Sequence, residues 1–103
     1  MNPELREEID ELINNYLGDE LLISLIENWS TVGERPPESR RAIKNIILGQ
    51  IFGATMRLYC QSRKIKESQI DDKGLQDLTK VFDERYQNIV NKVDSIIGRY
   101  HAY

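Results

Sequence analysis

Residues 38–64 read ESRRAIKNIILGQIFGATMRLYCQSRK, and this stretch decides the fold. No proline interrupts it, and as one helix its 27 residues would rise about 40 Å. At about 100° per residue, Ile43, Ile47, Ile51, Ala54 and Leu58 share one face. Leu48, Phe52, Met56 and Tyr59 share a second face, and Ile46, Gly49, Gly53 and Cys60 form a third stripe of mostly small residues. Lys44, Asn45, Gln50, Thr55 and Arg57 interrupt these faces. A helix apolar nearly all round must be buried nearly all round, so it is expected at the centre of an all-α bundle. A second chain would cover it more easily than one small chain can.

Shorter helices flank it. Asn2 before Pro3 is a helix start, since asparagine caps and proline suits the first turn. Leu5, Ile9, Leu12, Ile13 and Tyr16 follow at helical spacing, and Gly18 is a C-terminal stop, giving a helix over about 3–17. Asp19 is placed to cap a second helix over 19–30, with Leu21, Leu22, Leu25, Ile26 and Trp29 on its apolar side. Gly33 and Pro36-Pro37 make a turn before the long helix. Ser68 to Asp72 reads as a turn and cap. The last helix, 72–99, carries Leu75, Leu78, Phe82, Tyr86, Ile89, Val93, Ile96 and Tyr100 at alternating steps of three and four. Gly98 is expected to fray its end, leaving 99–103 as a loose tail. The whole is a single domain over 1–103, a three- to four-helix antiparallel bundle. It has three rods if the first two helices are collinear.

The 103 residues are 40% hydrophobic and 30% charged, the balance of a folded chain rather than a disordered one. No apolar run approaches the ~18 residues of a membrane span. The opening MNPELREEIDEL lacks the layout of a secretion signal, so a cytoplasmic location is expected. The net charge of −3 hides an asymmetry. Residues 1–34 carry −8, residues 35–66 carry +7 and residues 67–103 carry −2. The acidic first third is expected to attract the basic middle third across an antiparallel helix pair.

Catalytic patterns are sparse. His101 is the only histidine and Cys60 the only cysteine, which leaves no metal-ligand spacing and no cofactor to expect. Cys60 reads as a small buried hydrophobe. Gly49 and Gly53 do not form a phosphate loop, because no strand precedes them. Tyr86, Tyr100 and Tyr103 could stack bases, but they lie in a net-acidic third. The opening LREEIDELI resembles the first helix of helical chorismate mutases, and Arg6 matches that family's catalytic arginine. The following LIENWSTVGE lacks the basic residues the activity needs. The helical pattern around RKIKESQIDDKGLQDL is similar to that of bacteriocin immunity proteins, a resemblance that implies a fold and no more.

The expectation is therefore a non-enzymatic interaction or regulatory module. It would form a homodimer or bind a protein partner through Ile46, Gly49, Phe52, Gly53 and Met56. Each glycine inside a helix costs about 1 kcal/mol relative to alanine. Two at i and i+4 leave a groove for close approach, filled either within the bundle or by another chain. The alternative is a small nucleic-acid-binding regulator. Arg35, Arg40, Arg41 and Lys44 are its anion-binding candidates, at a helix start where backbone N–H groups favour anions.

Overall fold

The structure is a computed structural model that describes residues 1–29 and 40–100, with every side chain of these except those of Arg40 and Tyr100. Four α-helices and one 3₁₀ turn account for nearly all of it. They are α1 (Pro3–Tyr16), α2 (Asp19–Trp29), α3 (Arg40–Arg63), the 3₁₀ turn Glu67–Gln69, and α4 (Asp72–Tyr100). The chain is an all-α bundle.

Local chemistry sets the helix ends. The Glu4 N–H donates to Asn2 Oδ1 at 2.7 Å, with Pro3 in the first turn. Leu17 closes α1, its N–H donating to the Ile13 and Asn14 carbonyls. Asp19 is the first residue of α2 rather than its cap. α3 ends on Lys64 at φ 55°. The Ile65 N–H reaches back to the Cys60 carbonyl at 3.0 Å and the Lys64 N–H to that of Gln61 at 3.2 Å. This is the Schellman arrangement, here with lysine where glycine is usual. Asp71 caps α4, its Oδ1 accepting from the Gly74 N–H at 2.7 Å.

Three contacts fix α3 and α4 as an antiparallel hairpin. The Phe52 and Phe82 rings meet edge to face with centroids 5.1 Å apart. Lys44 pairs with Asp94 at 3.4 Å, and Gly74 lies against the Tyr59 ring. α1 and α2 run end to end along this hairpin. Met1, Arg6 and Asp10 meet Asp77, Glu84 and Arg85 in turn, and Asp19 then meets Lys92 and Arg99. The direction is therefore parallel to α4, and α1 and α2 touch each other little. The collinear alternative holds, and the bundle has three rods, the first broken at Leu17–Gly18.

The core lies where the three rods meet. Ile9, Ile13, Leu22, Ile43, Ile47, Ile51, Ile89, Val93 and Ile96 are fully buried. Burying a side chain of this size contributes about 1.5–3 kcal/mol, so this face of α3 carries much of the fold's stability. Cys60 is buried, as expected of a small hydrophobe. Thr55 is also buried, and its hydroxyl donates to the Phe52 carbonyl at 2.7 Å.

Three expectations are corrected. Arg99 and Tyr100 are helical residues of α4: Ile96 and Ile97 are buried and anchor the last turn, although Gly98 itself is exposed. The remaining tail residues, His101 to Tyr103, and the turn at Gly33 to Pro37 lie outside the described residues. Among the described residues, no acid of α1 or α2 forms an ion pair with a base of α3. Asp10 pairs with Arg6 and Arg85, and Asp19 with Lys92 and Arg99. Arg57 is exposed, and Arg63 shares a cleft with Glu4 and Glu8 of α1 but forms no ion pair with them. Finally, α3 is not buried all round: Arg41, Asn45, Gly49 and Arg57 are exposed.

A candidate interaction surface on the outer face of α3 and α4

The open side of α3 is the stripe expected to need cover. Gly49 is exposed, and a Cβ placed on it would meet nothing within 4 Å. At Gly53 the nearest neighbour of such a Cβ is Arg57 Nη1 of the same helix, at 3.6 Å. Neither glycine is needed for close packing among the described residues. Ile46, Phe52, Gly53 and Met56 are half-buried. Phe52, Met56 and Gly49 turn toward α4, while Ile46 and Gly53 lie on the side of Gln50, whose Oε1 accepts from Trp29 Nε1 of α2 at 3.2 Å. The five candidates thus share one outer surface, divided between its two edges.

α4 extends this surface. Leu75 and Tyr86 are 42% and 45% exposed, among the few large apolar side chains so open to solvent. Phe82, Leu75 and Tyr86 fall within about 40° of one another on the helix wheel. Arg85, about 60–100° away, faces α1 through Asp10 and Asn14. The apolar edge of α4 therefore borders Phe52 on the side away from α1 and α2. Sequence reasoning placed Leu75 and Tyr86 in the core seam. A strict heptad needs supercoiling; over a long, straight helix it drifts by about 20° per repeat, and Leu75 and Tyr86 drift out. The signal that marks them is the eleven-residue spacing of Leu75 and Tyr86 beside Asp72, Asp83 and Asp94, which keeps each set on one line of a straight helix.

The charges of this surface are ordered. α3 has five basic residues and no acid among its 24. Among the described residues its bases make one ion pair, Lys44 to Asp94. Arg63 lies over the Tyr59 ring, 5.4 Å from its centroid. The α4 edge beside it carries Asp72, Asp83 and Asp94, with one base, Lys80, among them.

The anion-binding candidates are not brought together. Arg35 lies outside the described residues, as does the side chain of Arg40. Arg41 is exposed, and Lys44 is held by Asp94. Arg6, the residue carrying the mutase resemblance, is a surface side chain bound to Asp10 at 3.0 Å and Glu84 at 2.7 Å. Glu84 first, then Asp10, raises its pKa against the opposing effect of burial. Burial pushes the Cys60 thiol pKa up, with a further push from Glu67, so the thiolate a nucleophile needs is disfavoured. Among the described residues no group of histidine, cysteine, aspartate and glutamate could hold a metal ion, and no helix is long and apolar enough to cross a membrane. A smaller apolar cleft of about 510 Å³ lies between Leu12, Tyr16, Leu21 and Leu58, rimmed by Glu8 and Glu11.

Comparison with protein-family models, with curated proteins and with solved structures gives no match.

Proposed function

We propose that the protein is a non-enzymatic interaction module that docks helices of another chain on the outer face of α3 and the adjoining edge of α4. One observation carries this reading. Phe52, Met56, Phe82, Leu75 and Tyr86 form an apolar surface beside two helix-interior glycines, of which Gly49 has open space above it and Gly53 only the Arg57 side chain of its own helix. Each glycine weakens the free helix by about 1 kcal/mol, a loss that close approach of a second helix offsets. Affinity comes from the apolar centre, and the basic α3 and acidic α4 edges select and orient the partner. The nucleic-acid alternative has less support, because Lys44 is already neutralised by Asp94.

The test is site-specific photocrosslinking in the cell that makes the protein, with a photoreactive residue at Gly49 and, as control, at Glu7 on the exposed side of α1. A discrete protein adduct is expected from Gly49 and none from Glu7. Labelling at Glu7 with none at Gly49 would overturn the proposal.

A further inference from the structure

The occupant of this face follows from the order of its charges. We infer that it is a second copy of this chain, packed as a four-helix bundle in which α3 of each copy lies over α4 of the other. This rests on the outer α3/α4 face being a docking surface, and it names the partner.

Two symmetric arrangements would bury the face. With the two-fold axis across the helices, α3 lies on α3 and α4 on α4. That sets the exposed bases of α3, Arg41, Arg57 and Arg63, against their own copies, with no acid on either α3 to relieve them. With the axis along the bundle, α3 lies on the partner's α4 and every neighbour is antiparallel. The positive strip then meets the edge of Asp72, Asp83 and Asp94, where three acids outnumber the one base, Lys80.

The second arrangement also has a defined register. Rotation about the bundle axis leaves every residue at its own height, so α3 meets the partner's α4 at the level where it meets its own. The Phe52–Phe82, Lys44–Asp94 and Tyr59–Gly74 contacts set that level. It brings Gly49 opposite the partner's Tyr86, Arg63 opposite the partner's Asp72, and Arg41 opposite the partner's Asp94. The exposed tyrosine thus enters the notch left by the missing side chain, twice per dimer. The 24 residues of α3 rise about 36 Å and two helices span about 20 Å, so the face buries about 700 Å² per copy. That is close to the ~800 Å² per partner of a standard stable interface.

The test uses the full chain with Cys60→Ala. Gly49→Cys and Tyr86→Cys are made as separate proteins and oxidised alone and mixed. A disulfide-linked dimer is expected from the mixture, and little from either protein alone. Sedimentation equilibrium of the unaltered chain is expected to give twice the 12.0 kDa chain mass. Gly49→Leu fills the notch and removes two contacts per dimer, so the dissociation constant rises about a hundredfold, at tenfold per contact. Arg63→Asp weakens the dimer, and adding Asp72→Arg restores it. Self-crosslinking of Gly49→Cys alone would overturn the inference in favour of α3 on α3. A monomeric mass at all concentrations would overturn it too. A Gly49 photoadduct with a different protein would then leave the docking surface standing without a second copy.

Discussion

Gly49 and Gly74 make opposite predictions under the same substitution. Gly49→Ala adds a methyl group where nothing lies within 4 Å, so the helix gains propensity with no packing penalty. The expected gain is about 0.5–1 kcal/mol. For a domain of this size a gain of 1 kcal/mol raises Tm by about 4–8 °C. Gly74→Ala puts the same methyl 2.6 Å from Tyr59 Oη and 3.0 Å from Cε1 and Cζ. Tyr59 is 4% exposed, so its ring cannot swing into solvent, and either the ring or the first turn of α4 must shift. Overpacking of this kind costs about 1–3 kcal/mol, against a propensity gain of up to about 1 kcal/mol. The net expectation is a loss of about 1–2 kcal/mol. Urea unfolding followed by far-ultraviolet circular dichroism measures both. It is run dilute enough for the chain to sediment as a monomer, which separates folding from association. A destabilised Gly49→Ala monomer would mean that a side chain does pack on that stripe. A stabilised Gly74→Ala would mean that Tyr59 does not abut α4 as described.

Asp10 gives a pH dependence. Burial raises its pKa, but hydrogen bonds and charge from Arg85 and Arg6 outweigh that and hold it below the usual carboxylate value. Its contribution is therefore complete above the unfolded pKa of about 3.9 and is lost as pH falls through the lower folded value. Asp10→Asn should cost about 0.5–1 kcal/mol at neutral pH, the scale of a solvated pair. It should also flatten the acid limb of stability against pH; an unchanged acid limb would refute the role. Lys64→Gly should stabilise by about 1 kcal/mol, since glycine adopts the left-handed conformation at φ 55° without penalty; thermal melts check it. Ile47→Ala, at a fully buried site, should cost about 2–5 kcal/mol in chemical denaturation. The fluorescence of Trp29, the only tryptophan, should report that unfolding.

The parts of the fold legible in the sequence are those decided within a helical turn. Asn2 and Pro3, Gly18, and Asp71 before α4 mark helix ends because capping is local. The spacing of Ile43, Ile47, Ile51 and Ala54 marks the buried face of α3 because the helical period alone sets it. Gly74 was silent in the sequence, since its requirement comes from Tyr59, fifteen residues earlier and across the hairpin. The charge pairing misled for a related reason. Segment totals said that α3 is basic and α1 acidic, but ion pairs form between faces. The faces of α1 and α2 that meet another helix carry Asp10 and Asp19, which found Arg85, Lys92 and Arg99 on α4. Among the described residues that leaves Arg41 and Arg57 of α3 exposed and without an ion pair to the first two helices, and the Arg57 guanidinium lies beside Gly53 of the uncovered stripe. The two features that the sequence displayed separately, excess apolar surface and excess basic charge, turn out to share one outward face. A partner that covers the first must also answer the second, and under the proposed self-association the acid-bearing edge of α4 from a second copy would do both.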